Sequence, residues 1–250
     1  MRAFLFAAYS LVAYVIFLGV FSYAIAFVGD FLVPKTINSG SVEALVPSLL
    51  INAGLLGVFA VQHSLMARPA FKRMWTRLVP KDVERSTYVL FASAALALVL
   101  WQWRPLPQIV WSVTDPMMAG AITALMWAGW AIVLLSTYLI SHFHLFGLTQ
   151  GMTRLLGIKE KPANFTTPLF YRWVRHPLYL GFIIAFWAAP QMSLGHLAFA
   201  IACTAYIFIG IFLEERDLVD EFGERYETYR NNVGMVVPRL TPPKDHRVGG

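Results

Sequence analysis

Four short stretches set histidine, arginine or glutamate at the edges of long apolar runs: Gln62-His63-Ser64, His142-Phe143-His144, Arg175-His176-Pro177 and Glu214-Glu215. Ionisable groups at membrane depth are costly, which makes each a functional candidate by default. Plainer roles exist for all of them. Arg175 could fix topology or snorkel to the membrane surface, and the glutamates could simply end a helix. His142-x-His144 could bind a metal, but there is no H-E-x-x-H pattern or second ligand pair, so no metal site is expected. The stretch from Arg175 to Gly181 says more. Pro177 blocks helix before it and suits the first turn of the helix after it. The free N–H groups and positive dipole of that helix start, beside Arg175, suit a carboxylate. Gly181 lets another backbone or a ligand come close. A carboxylate-bearing ligand facing Glu214 and Glu215 would need a cation or hydroxyls of its own. No G-x-G-x-x-G follows a strand, so a soluble dinucleotide site is excluded.

The elements that position these residues are apolar helices. Of 250 residues 58% are hydrophobic and 14% charged, against about 25% charged in soluble domains. Six apolar segments emerge: Phe4–Val28, Leu45–Met66, Tyr88–Trp103, Met117–Ile140, Leu178–Ala189 and Leu194–Leu213. The first spans roughly 37 Å as a helix at about 1.5 Å per residue. That exceeds the apolar core of a signal peptide, about 7–15 residues, so it reads as an anchor. Leu178–Ala189 covers only about 18 Å. It is either a shallow hairpin arm or a full span lengthened by the residues before it.

Charge sets the orientation. The net charge of +6 does not point to nucleic acid, because the basic residues flank apolar helices. With a cytoplasmic N-terminus and a hairpin at the end, only Lys35 and Arg104 of the 20 lysines and arginines fall outside. The expected fold is therefore an all-α integral membrane protein of five to six transmembrane segments, in the cytoplasmic membrane with both termini cytoplasmic. The last two segments form a hairpin, and residues 214–230 form an amphipathic helix with Leu218, Phe222, Tyr226 and Tyr229 on one face. The chain is read as one domain, with four spans over 1–140 and a ligand-binding loop, hairpin and cap over 141–250. The single cysteine, Cys203, lies in an apolar run and reads as a small buried hydrophobe.

The C-terminal pattern resembles the isoprenylcysteine carboxyl methyltransferase and phospholipid methyltransferase superfamily of membrane enzymes. The shared residues are Arg175-His176-Pro177-Leu178-Tyr179-Leu180-Gly181, then Glu214-Glu215, then Phe222-Gly223 with Tyr226 and Tyr229, and Val233 through Pro238. The resemblance implies S-adenosylmethionine as methyl donor, whose carboxylate, amino group, sulfonium and ribose hydroxyls suit a mixed-charge site. It carries cofactor contacts over to Arg175, His176, Pro177, Tyr179, Gly181, Glu214 and Glu215, with Tyr226, Tyr229 and Arg230 as lid residues. Upstream, residues 62–72, 84–88 and 142–150, ending in Gln150, resemble the branch that methylates methanethiol to dimethyl sulfide. Gln150 is counted with the cofactor residues on that likeness. The implied partners are a small volatile thiol and membrane lipid, with no nucleic acid and no protein partner indicated.

A thiol must lose its proton before it attacks a methyl group. His144 and His63 are the candidate acceptors, with Tyr14 behind them, and His144 is preferred for its nearness in sequence to the donor loop. Two rival functions remain open from sequence: methylation of a prenylcysteine carboxyl or phospholipid amine, and a non-catalytic membrane accessory or transport role.

Overall fold

The computed structural model describes residues 1–157 and 167–239. Lys159, Lys161, Lys244 and Arg247, which entered the charge asymmetry, lie outside the described residues. In chain order the elements are α1 (Arg2–Val28), α2 (Leu45–Ala67), α3 (Pro69–Trp75), α4 (Lys81–Gln102), β1 (Ile109–Ser112), α5 (Pro116–Ile140), α6 (His142–Leu145) and α7 (Leu148–Leu156). A 3₁₀ turn (Leu169–Arg172) follows, then α8 (Pro177–Trp187), β2 (Gln191–Ser193), α9 (Leu194–Phe222) and α10 (Glu224–Asn232). Among the described residues, five helices, α1, α2, α4, α5 and α9, are long and apolar enough to cross a membrane, and α8 is a shorter apolar one. The multi-pass helical architecture thus matches the expectation, with a two-stranded ribbon added to it.

Cross-helix polar bonds define the two ends of the bundle. At the end that carries Met1, Ser86 Oγ donates to Ser10 Oγ (2.7 Å) and Tyr9 Oη meets Thr87 Oγ1 (3.0 Å), pinning the start of α4 to the start of α1. At the far end the Asn52 amide clasps Arg104, donating to its carbonyl and accepting from its N–H, both at 2.8 Å. The apolar core between them is aromatic: Phe27, Trp103, Trp130, Phe186 and Phe199 are all buried. Two glycines bring α5 and α8 into backbone contact. A Cβ on Gly181 would sit 2.7 Å from Gly129 O, and one on Gly129 would sit 2.7 Å from Ala185 N. Gly181 therefore answers to a neighbouring helix.

The expectation for the fifth segment needs correction. Residues after it, not before it, lengthen it. The 11-residue helix α8 rises about 16 Å, and the extended stretch 188–193 adds about 20 Å at about 3.3 Å per residue. Extended backbone in an apolar setting must find hydrogen-bond partners. Here β2 pairs antiparallel with β1, Ile109 opposite Ser193 and Ser112 opposite Gln191. Leu194 N and Gly195 N continue the ladder to Gln108 O and Leu106 O. The leg therefore reaches the far end, and α9 returns to the Met1 end.

The amphipathic helix over 214–230 is also corrected. Residues 214–222 are the last turns of α9, which runs unbroken from the apolar segment. Gly223 then adopts φ 55°, ψ −135° and stops the helix, a conformation that costs glycine little. Tyr226 and Tyr229 belong to the separate α10.

Candidate functional site

The site is assembled at the Met1 end, where the start of α8 faces the end of α9. Residues 174–176 run beside a C-terminal strap: Val174 bridges Gly234 in parallel, Arg175 N donates to Gly234 O (2.8 Å) and His176 N to Met235 O (3.0 Å). Arg175 is buried at 8% exposure. Its Nε donates to Glu215 Oε1 at 2.7 Å, and its Nη1 donates to Arg230 O at 2.8 Å and to Val233 O. A guanidinium engaged in this way holds three chain segments together. The helix start was expected to offer Arg175 to a carboxylate; the structure shows it fastening the strap to α9.

The two glutamates divide their tasks. Glu215 is buried between Arg175 and His176, whose Nε2 lies 3.0 Å from Oε1. Glu214 accepts from Tyr179 Oη at 2.9 Å, and His176 Nδ1 lies 3.9 Å from it. Its side chain is 44% exposed, so its carboxylate retains open acceptor positions. Tyr229 Oη donates to Tyr171 O (2.5 Å), and the Tyr226 and Tyr229 rings lie 5.9 Å apart. Burial, then the nearby Glu215 carboxylate, pushes the Tyr226 phenol up; burial likewise raises Tyr171 and Tyr229. All three stay protonated at neutral pH. On the outer side of α9 a groove of about 280 Å³ opens beside Glu215, apolar at Phe208 and Phe212 and of mixed charge at Arg216, Arg230 and Asp220.

Of the residues expected from sequence, the structure brings Arg175, His176, Pro177, Tyr179, Glu214, Glu215, Tyr226, Tyr229 and Arg230 to this corner. Gln150 is held elsewhere: its Nε2 donates to His144 O at 3.0 Å. His144 itself is exposed. Its neighbour His142 is the buried one, with Nδ1 2.7 Å from Thr137 Oγ1 and Nε2 2.7 Å from Tyr14 Oη. Thr137 gives its only hydroxyl proton to Leu134 O (2.7 Å), so His142 Nδ1 must be the donor and Nε2 accepts from Tyr14. Its ring stacks on Tyr138 at 4.3 Å. Burial pushes this imidazole down, leaving it neutral at pH 7. Sequence reasoning gave His142 no role beyond a weak metal pair. Ser141, at φ 145°, sets the direction in which α6 leaves α5; two positions along α6 turn about 200°, so His142 faces inward and His144 outward, and residue types alone do not signal which.

His63 lies between rings, 5.2 Å from Phe59 and 5.3 Å from Tyr88. Tyr88 Oη is 3.0 Å from Nε2 and 3.1 Å from Nδ1. One hydroxyl cannot serve both nitrogens in good geometry, so one ring nitrogen remains for another partner. Next to it, Ser64 Oγ meets Tyr206 Oη of α9 at 3.0 Å. Among the described residues no group of three or more His, Cys, Asp or Glu side chains could hold a metal ion.

No family model matches the chain, and no solved structure does. Its curated relatives are more informative. It is 52% identical over 239 residues to methanethiol S-methyltransferase 1 of Bradyrhizobium diazoefficiens, covering 95% of this chain and 84% of that protein. It is 50% identical over 238 residues to the methanethiol S-methyltransferase of Mycobacterium tuberculosis, covering 95% and 98%. It is 49% identical over 230 residues to that of Crocosphaera subtropica, covering 92% and 90%. With half its residues identical across nearly its whole length, the chain belongs to the methanethiol S-methyltransferase family.

Proposed function

We propose that this protein transfers the methyl group of S-adenosylmethionine to methanethiol, giving dimethyl sulfide, in the cytoplasmic membrane. The observation that carries the proposal is the near-full-length identity to proteins of that name, joined to a charged corner beside apolar aromatic walls. The donor's chemistry fits the residues present. Glu214, with open acceptor positions next to Tyr179 and His176, suits an ammonium or ribose hydroxyls. The start of α8 beside His176, with its free N–H groups and positive dipole, suits a carboxylate. Arg175 and Glu215 act behind them by holding His176 and the strap, and Tyr226 and Tyr229 back the strap. Gln150 supports the loop that carries His144. We place the Met1 end in the cytoplasm, because lysine and arginine gather on that side of the sequence.

The bound donor supplies an electrophilic methyl on a sulfonium. The protein must deprotonate the thiol, whose reference pKa is about 8.5, and hold sulfur, methyl and leaving sulfur in line. His63 is the acceptor we favour over His144, since it lies among rings and keeps a ring nitrogen uncommitted. Thiolate and sulfonium become two neutral sulfides, a change that a dry, apolar pocket favours over water. Lipid around the helices would concentrate the small apolar thiol.

Detergent-purified protein given methyl-labelled S-adenosylmethionine and methanethiol should release labelled dimethyl sulfide into the headspace. Absence of dimethyl sulfide, or faster methylation of a prenylcysteine analogue or a phospholipid amine, refutes the proposal.

A further inference from the structure

Tyr206, Gly210 and Glu214 form one stripe of α9, and Tyr179 of α8 lies against its lower part. Tyr179 Oη reaches Glu214 at the lower end of that stripe. One turn higher is Gly210, where an added Cβ would find a single atom within 4 Å, Tyr179 Oη at 3.9 Å. One turn higher again is Tyr206, pinned by Ser64 of α2. Ser64 of α2 bonded to Tyr206, and Arg68 just past the end of α2 bonded to Asp217, bracket Gly210 and Glu214 on α9. On α2, just beside the upper bond, His63 stands against Phe59, and the Phe59 ring meets Tyr206 edge-on at 6.4 Å.

We propose that the notch at Gly210 is the thiol compartment, with Phe59 and Tyr206 as a roof that limits it to thiols of one or two carbons. This rests on the methyl-transfer reading above and assigns its substrate end. The order along α9 gives each reactant a level. The donor's polar groups belong at Glu214, where the carboxylate is open to water. The thiol belongs one turn deeper, where helix α9 carries no side chain, on the face that Ser64, the chain neighbour of His63, joins through Tyr206. A longer alkyl chain extending away from Glu214 runs into the Phe59 and Tyr206 rings. Ser64 holds Tyr206 in place, so the roof cannot swing aside without losing a hydrogen bond. In the reaction the S–H bond breaks, its proton goes to the free nitrogen of His63, and the S–CH₃ bond forms as the donor's C–S bond breaks. The proton later leaves to water.

A hydrophobic pocket discriminates a single methylene by roughly 10- to 200-fold. The test compares kcat/KM for methanethiol and 1-butanethiol in wild type, Phe59→Ala and Phe59→Leu. The ratio of butanethiol to methanethiol should rise at least about tenfold in Phe59→Ala and less in Phe59→Leu. Gly210→Leu should abolish methylation of both thiols while S-adenosylhomocysteine, titrated calorimetrically, still binds. An unchanged ratio in both Phe59 variants overturns the roof, as does equal loss on both thiols. A wild-type rate in Gly210→Leu overturns the notch. Failure of the wild type to make dimethyl sulfide is a separate result, and it sinks the methyl-transfer reading itself.

Discussion

Replacing Gly181 with alanine tests whether packing between helices, rather than contact with a ligand, is what that glycine provides. The new methyl would lie 2.7 Å from Gly129 O and 2.9 Å from Val133 N, both backbone atoms that cannot rotate away. Ordinary contact begins at 3.4 Å, so α5 and α8 must part by about 0.7 Å, an overpacking that costs roughly 1–3 kcal/mol. For a domain of this size each kcal/mol lowers the melting temperature by roughly 2–4 °C. The same shift pushes the opposite face of α8 toward α9, so Tyr179, half a turn away, is driven out of its 2.9 Å bonding position against Glu214. Misplacement on that scale can cost on the order of 100-fold in rate. Gly129→Ala, filling the same gap from the other side, should lose as much, and the double variant should lose less than the two losses combined. Melting in detergent and dimethyl sulfide release report the two effects. Wild-type melting and turnover in Gly181→Ala would refute the steric reasoning. Normal melting with weakened donor binding alone would return Gly181 to a ligand-contact role.

Arg175→Ala should destabilise the protein by about 3–5 kcal/mol, because it leaves Glu215 as a buried carboxylate without its cation. The strap over 233–237 should then become sensitive to limited proteolysis, and a strap that stays protected would argue against the clamp. His63→Ala should lower turnover with methanethiol by about 100-fold or more at saturating donor, while His144→Ala keeps most of the rate. The reverse pattern would return the proton to His144.

Much of this site was legible because its determinants are local in sequence. Arg175-His176-Pro177 announces a helix start, and Glu214-Glu215 ends an apolar run, so their meeting follows once the last two segments form a hairpin. The direction of Arg175 was not legible. Its carbonyl acceptors, Arg230 and Val233, lie more than fifty residues away, and main-chain acceptors leave no trace in residue type. Gly181 was rightly read as a point of close approach, but the sequence does not say that α5 makes it. His142 and His144 stand on opposite sides of α6, and the turn at Ser141 decides which side is enclosed. The short fifth segment misled because helical rise was assumed throughout, whereas the extended residues after Trp187 cover twice the distance per residue.

Pairing of β1 with β2 couples two connections that lie about eighty positions apart. Side chains alternate along a strand, so slipping β2 by one residue would turn Met192, which is fully enclosed, outward and bring a neighbour in. One unmatched residue in β1 is already taken up between Ile109 and Trp111, but an insertion or deletion in β2 should be tolerated only when β1 changes with it. Homologues that vary in length between Trp187 and Leu194 should vary in β1 as well, and a chimaera that swaps the β2 connection alone should misfold.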